Sequence, residues 1–325
     1  MNCPMTDKAG HFNWPPGQDQ DTANIPIIDI SSPDVDQKEV AKHLVNAAEE
    51  HGFIYIRNLG HDIQAKEIDG AFDLVGDFKE AFNFGEFADG KAQQPLPSEL
   101  VSDESQISAF SDSCHDLCQK LLYLLGLGLG VDDFFSSAHN TDKGASSSIL
   151  RFLRYPSPES TAHSPDDIRA GSHSDYGSIT LLFRLKGQAG LEVLRKDNVW
   201  APVPVCPAGT EDDPSPPILI NIGDLLSYWT NGLFRSTLHR VVFPDGSSVV
   251  PGETSNGPRY SIAYFCHPVG TSLLEPVPCE RVKNFVPSEG ALSENPYAAR
   301  KVMTADEHLF MRLKESYGDL YEKKT

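Results

Sequence analysis

An α+β fold, mainly β, with a double-stranded β-helix (jelly roll) core flanked by N-terminal and C-terminal helices, follows from three patterns in the 325 residues. From Ser148 onward, eight short β-rich runs alternate with turn residues, which suits a double-sheet jelly roll. Before that point, apolar residues recur three and four apart, the period of helices that bury one face. After Glu294 the helical period returns. The chain thus divides into a polar arm (1–24), a helical region with short strands packed on the core (25–147), and the jelly-roll core with its C-terminal helix (148–325).

The arm is rich in Pro, Gly, Asp and Gln and has no apolar run of the kind a secretory signal carries. Residues 25–30 read as a strand. Val40, Leu44, Val45 and Ala48 place a helix over 35–51, which Gly52 closes, and 53–56 is β-rich. Ile68, Phe72, Val75 and Phe78 predict a second helix over 63–82. Gly85, Gly90, Pro95 and Pro97 make 84–102 a loop, and Leu117, Leu121, Leu124 and Leu125 predict a third helix over 111–125. Gly126-Leu127-Gly128-Leu129-Gly130 follows a helix, not a strand, so it reads as a helix terminus and not as a dinucleotide loop. The eight runs are 149–155, 178–185, 191–195, 199–204, 217–222, 238–243, 259–266 and 281–286. Between them, 156–170 and 207–217 are polar and Pro-rich, hence loops; Val302, Leu309, Met311, Leu313 and Tyr317 carry the final helical stretch, 294–321.

With 39% hydrophobic and 22% charged residues the chain reads as an ordinary globular protein. A net charge of −19 argues against nucleic acid or an anionic membrane as partner, because both need a basic face. No apolar stretch approaches the roughly 18 residues of a membrane span. The six cysteines include no Cys-x-x-Cys pair, so a zinc site is not expected; Cys114 and Cys118 read as packed thiols of one helix. A reducing, cytoplasmic setting is the expectation, and no protein partner is implied.

Chemistry concentrates in two stretches. Gly171-Ser172-His173-Ser174-Asp175-Tyr176-Gly177-Ser178 places His173 and Asp175 two apart, so in an extended segment both point to one face. His239, in Leu238-His239-Arg240-Val241, adds a second imidazole from a later strand. Two imidazoles and a carboxylate are the ligand set of non-haem Fe(II) sites with open positions. Arg259 and Ser261 again share a strand face, and a guanidinium beside a hydroxyl makes a receptor for a carboxylate. Arg240 should face away from His239 and pair with an acid; Asp224 reads as a turn residue.

These stretches resemble the Fe(II)/2-oxoglutarate-dependent dioxygenase superfamily, in the branch typified by isopenicillin N synthase, flavonol synthase and gibberellin oxidases. Further matches are Gly190-Leu191-Glu192-Val193-Leu194, Trp200-Ala201-Pro202-Val203, Asn221-Ile222-Gly223-Asp224, Trp229-Thr230-Asn231-Gly232 and, nearer the start, Ile25–Ile30 and His51-Gly52-Phe53. Asn58-Leu59-Gly60-His61 resembles a family segment in altered order. The resemblance runs over roughly residues 25–315.

It implies Fe(II) on His173, Asp175 and His239, with 2-oxoglutarate and O2 as cosubstrates. Arg259 and Ser261 would hold the far carboxylate of 2-oxoglutarate. Tyr155 stands where the family has a tyrosine that helps, and Asn221 resembles a residue near the cosubstrate. Around Tyr155 the chain departs from the plant pattern, with Arg154 and Ser157-Pro158 in place of Asn and Cys-Pro. Candidate substrate contacts are Arg151, Leu153, Tyr176, Phe183, Phe265 and His267. Arg151 or Arg154 would meet an acidic or phenolate group, and Phe110 with the 84–102 loop is a candidate lid. The implied activity is oxidation of a C–H bond in a small organic molecule, a secondary metabolite, by hydroxylation, desaturation or ring rearrangement. Three alternatives are an Fe(II) oxidase like isopenicillin N synthase that uses no 2-oxoglutarate, a non-catalytic jelly roll, and a zinc hydrolase. The intact ligand set argues against the second, and the lack of a placed general base against the third.

Overall fold

The computed structural model describes residues 22–32, 36–76, 81–157, 168–243, 258–286 and 301–321. In chain order the elements are β1 (Ile27–Ile28), α1 (Gln37–Glu50), β2 (Phe53–Ile56), α2 (Ala65–Gly76), β3 (Ala81–Phe84), β4 (Phe87–Ala88), β5 (Lys91–Ala92), α3 (Glu104–Leu129), α4 (Phe134–Ala138), β6 (Ile149–Tyr155), β7 (Ile168–His173), β8 (Ile179–Arg184), β9 (Leu191–Leu194), β10 (Trp200–Pro202), β11 (Ile218–Ile222), α5 (Asp224–Trp229), β12 (His239–Val242), β13 (Arg259–Cys266), α6 (Glu280–Lys283) and α7 (Ala305–Tyr321).

A seven-stranded sheet, β1-β2-β11-β8-β13-β6-β3, faces a four-stranded one, β10-β9-β12-β7. Strand alternation sends successive residues into two separate cores. In β2, Ile54 and Ile56 join the outer core with Leu44 of α1, Leu121 of α3, Phe152, Leu181 and Ile262. Phe53 and Tyr55 join the inner core, between the sheets, with Leu191, Val193, Leu219 and Val241. A strand buried on both faces therefore reads as continuously apolar. The outer core is closed by α1 and α3, which approach so closely that a Cβ on Gly128 would lie 2.5 Å from the Ala41 carbonyl oxygen. α3 ends at Gly130, whose φ of 72° needs glycine.

The structure corrects several expectations. Of the predicted second helix, Ala65–Gly76 is helical, Phe78 lies outside the described residues, and Phe82 lies instead in β3, paired with Phe152 of β6. The 84–102 loop contains the small β4–β5 hairpin and a 3₁₀ turn at Ser98–Asp103. The third helix is longer than its leucine pattern and contains Phe110. Residues 168–173, read partly as loop, form β7. The eighth predicted run, 281–286, is not a strand: Glu280–Lys283 is a helical turn, held by an i,i+3 Lys283–Glu280 pair at 3.0 Å. Only Val282 of that turn is buried, so it lacks the alternating face a sheet needs. The polar arm to Asp21 and residues 294–300 of the final predicted helix lie outside the described residues. No helix among the described residues is long and apolar enough to cross a membrane.

Candidate functional site

His173 ends β7 and His239 opens β12, and the two are direct cross-strand partners in the small sheet. Their ring centroids are 4.3 Å apart. Asp175 follows two residues after β7, with Oδ1 3.9 Å from His173 Nε2 and 3.7 Å from His239 Nε2. One ligand atom from each residue lies within 4.8 Å of the others, and no other such group of three occurs among the described residues. Each imidazole has its Nδ1 on a backbone carbonyl: Gly171 at 2.7 Å for His173 and Thr237 at 3.2 Å for His239. With Nδ1–H donating there, each Nε2 keeps its lone pair for the shared space.

Glycines place Asp175. A Cβ on Gly223 would lie 2.2 Å from the Gly177 oxygen, and one on Gly177 would strike the Cys266 oxygen at 2.7 Å. The two backbones therefore meet, and the amides of Asp224 and Leu225 donate to the carbonyls of Asp175 and Gly177 at 2.7 and 3.1 Å. Asp175 Oδ2 accepts from Thr180 Oγ1 and Asn221 Nδ2, both at 2.7 Å, which leaves Oδ1 turned to the histidines. Burial raises the pKa of this carboxyl. His239, the two hydrogen bonds and His173 together outweigh that, so Asp175 is held below the usual carboxylate range and stays ionised. Burial pushes His239 below the ordinary imidazole value, against the pull of Asp175, so it is neutral near pH 7. Two imidazoles and an ionised carboxylate converging on one point fit a divalent metal such as Fe(II).

Asp224 is more than a turn residue. Its Oδ1 accepts from Ser236 at 2.7 Å; its Oδ2 accepts from Ser174 at 3.0 Å and pairs with Arg312 of α7 at 2.8 Å. One carboxylate thus ties the segments before His239 and around Asp175 to the C-terminal helix. Arg240 does face away from His239: it pairs with Glu192 at 2.7 Å and lies over Trp200.

Along β13, Arg259, Ser261, Ala263 and Phe265 share the face turned to the barrel interior. Arg259 is 3% exposed, Ser261 1%, and Arg259 Nη1 donates to Ser261 Oγ at 3.4 Å. Tyr155 is the cross-strand partner of Arg259 and lies under its guanidinium, 5.3 Å from ring centroid to Cζ. Leu153 pairs with Ser261 and Arg151 with Ala263, so both belong to this face. Arg151 lies over the Phe265 ring at 5.1 Å and donates to Asn83 Oδ1 at 2.6 Å. His267 is buried beside Gly177, and burial, with His139, lowers its pKa to about 4. Tyr176 donates to Ser316 of α7 at 2.7 Å.

Four expectations change here. Phe183 points the other way, into the outer core against Phe110 at 5.3 Å, because Leu182 and Arg184 are the inward residues of that stretch. The same contact buries Phe110, a residue of α3, in the outer core and removes it as a lid residue. Asn221, expected beside the cosubstrate, has its amide nitrogen on Asp175 and is a support of that carboxylate. Arg154 lies on the outer face with Tyr260. Sequence reasoning missed Thr180 and Arg184, although two polar residues at even spacing in the apolar run Ile179–Arg184 were a signal. Ser236, Asn83 and Arg312 carried none.

Residues 146–268 match the family described as 2OG-Fe(II) oxygenase superfamily, and residues 25–84 match the non-haem dioxygenase in morphine synthesis N-terminal family. A UPF0676 protein of Schizosaccharomyces pombe is 32% identical over 298 residues, 78% of this chain and 84% of its own. The chain belongs to the 2OG-Fe(II) oxygenase superfamily. The oxygenase is also 32% identical over 215 residues to the 2-oxoglutarate-dependent dioxygenase htyE of Aspergillus rugulosus, covering 63% of this chain and 60% of htyE. A full-length Neurospora crassa protein, in crystals with alpha-KG and thymine, superposes with a TM-score of 0.70 at 26% identity, over 92% of this chain and 99% of its own. A 2OG-Fe(II) oxygenase family protein of Caulobacter crescentus superposes at 0.65 with 26% identity, over 91% and 100%. The barrel is thus the jelly roll of this family, and the oxygenase is an oxidoreductase that uses Fe(II), 2-oxoglutarate and O2.

Proposed function

We propose that His173, Asp175 and His239 hold Fe(II) and that Arg259, Ser261 and Tyr155 take the far carboxylate of 2-oxoglutarate. We further propose that the substrate is a small organic molecule, a secondary metabolite, bound against Arg151, Phe265, Leu153, Tyr176 and His267. The observation that carries this reading is the layout of the interior between the two sheets. The small sheet brings His173 and His239 to the converging His-Asp-His group, while on the large sheet β13 carries a buried guanidinium with its hydroxyl partner and β6 an arginine over the Phe265 ring. Bound iron would let O2 oxidise a C–H bond, with 2-oxoglutarate as the co-reductant that takes up one oxygen atom and leaves as succinate and CO2.

The chain's own residues do the rest. Thr180 and Asn221 fix Asp175 so that one oxygen faces the metal position. Arg259 and Ser261 give the cosubstrate direction, because a planar fork prefers a carboxylate in its own plane. Arg151 and Phe265 offer a flat apolar surface next to a cation, which suits a planar molecule with an acceptor or anionic group. The Neurospora crassa crystals with thymine and with 5-formyluracil show a relative in complex with planar heterocycles, which supports that class. The net charge of −19 supports a free small molecule over nucleic acid. Free thiols at five described cysteines support the cytoplasm as the working compartment.

The test is anaerobic visible absorption as 2-oxoglutarate is added to the Fe(II)-loaded protein, with His173→Ala as control, followed by succinate analysis in air. A charge-transfer band that needs His173, and succinate on turnover, support the reading. Iron binding without band or succinate would return the oxidase that uses no 2-oxoglutarate.

A further inference from the structure

Arg184 is a second guanidinium of the barrel interior, and nothing assigned so far uses it. It stands at the end of β8 as the direct cross-strand partner of Ser261. It is 4% exposed. Its two terminal nitrogens donate to the carbonyls of Val203 and Pro204, both at 2.9 Å, and its Cζ lies 5.6 Å from the Tyr55 ring centroid. Its Nε has no hydrogen-bond partner among the described residues. No carboxylate of the described residues pairs with it, whereas Arg57, Arg240 and Arg312, all more exposed, each have one.

A full positive charge enclosed away from water is costly unless an anion balances it. Two backbone carbonyls supply only partial charge. The dianionic cosubstrate is the anion that this interior is read to receive, and Ser261, one strand away from Arg184, is read to bind its far end. We propose that Arg184 is a positioning residue whose buried charge adds to that of Arg259 in selecting the far carboxylate of 2-oxoglutarate. This rests on the cosubstrate reading above. Arg259 makes the contact; Arg184, behind Ser261, deepens the positive potential at that end. The rival account is purely mechanical, with Arg184 only clamping the chain after β10 through Val203 and Pro204.

The two accounts separate in a calorimetric titration of the Mn(II)-loaded full-length protein with 2-oxoglutarate and, separately, with oxalate. Oxalate chelates metal through two oxygens but has no far carboxylate. Arg184→Gln keeps donors for the carbonyls and removes the charge; Arg184→Lys keeps the charge and weakens the clamp. Expected for Arg184→Gln is a loss of about tenfold in 2-oxoglutarate affinity, or about 1.4 kcal/mol, with oxalate unchanged. Expected for Arg184→Lys is a lower melting temperature with the ratio of the two affinities retained. An unchanged ratio in Arg184→Gln, equal weakening of both ligands, or a collapsed ratio in Arg184→Lys overturns the proposal. A wild-type protein that binds oxalate but not 2-oxoglutarate overturns the cosubstrate reading itself, a distinguishable result.

Discussion

Replacing Asn221 with Leu removes one of the two donors on Asp175 Oδ2, each at 2.7 Å. The acceptor is an ionised carboxylate, 7% exposed. A hydrogen bond to a charged group is worth about 1.5–3 kcal/mol, more than one between neutral groups. Taking about 2 kcal/mol, and about 1.4 kcal/mol per decade, the variant should bind metal roughly thirtyfold more weakly. That falls within the about 10–100-fold range typical of partners that orient a metal ligand. Thr180→Val should act similarly through the same oxygen. Both donors serve one acceptor, so the double variant should lose more than the two single losses combined. The assay is anaerobic competition for Fe(II) against a chromophoric chelator, with thermal unfolding of the metal-free proteins alongside. Metal affinity within about twofold of wild type in Asn221→Leu would refute the claim that this amide orients Asp175 for a metal.

Other consequences can be measured directly. Arg312→Ala leaves Asp224 buried with only its serine partners; a loss of about 2–4 kcal/mol in chemical denaturation is expected, together with weaker metal binding. A pure stability loss with unchanged metal affinity would show that the Asp224 tie does not reach the ligands. Burial lowers His308 to about 3 and His267 to about 4. Below about pH 6.5, the ordinary imidazole value, the unfolded chain takes up protons that the folded one refuses. Stability should therefore be full above about pH 6.5 and fall as pH drops toward those values, by up to about 1.4 kcal/mol per unit for each histidine. His308→Phe should flatten the slope between about pH 6 and 4, and parallel curves would contradict this. Phe183→Ala should cost about 3–5 kcal/mol of stability through the outer core. Arg151→Ala should instead leave the 2-oxoglutarate band intact and lower product formed per succinate.

Much of the site was legible because strand geometry writes it into the sequence at period two. Arg259 with Ser261 follows from alternation along β13, whereas Asp175 lies beyond the end of β7 and keeps its place beside His173 through the close approach of Gly177 and Gly223. What alternation cannot tell is which face of a doubly buried strand is which. Ile179–Arg184 is buried at every position but one, so Phe183 looked as good a pocket residue as Leu182 until Phe110 was placed beside it. β7 was obscured for the opposite reason: Arg169, Ala170, Gly171 and Ser172 lack the apolar alternation of a strand that covers a core, since this strand lines a site. Asp224 and Arg312 meet only because α7 returns to the barrel, a tertiary fact with no local trace. The 281–286 run has a strand-like composition, but Arg281 reaches Glu49 of α1 and Lys283 pairs with Glu280, so a charged helical turn wins.

The separation of the two cores has an evolutionary meaning. On β13, Ile262, Tyr264 and Cys266 serve the helix-facing side, while Ser261, Ala263 and Phe265 face inward; on β6, Leu150 and Phe152 oppose Arg151, Leu153 and Tyr155. Each strand therefore carries two interleaved messages that can change independently. Inward positions can drift to suit a new molecule while the outward ones keep the barrel folded, so one scaffold can be retuned to many substrates by changes at every second residue.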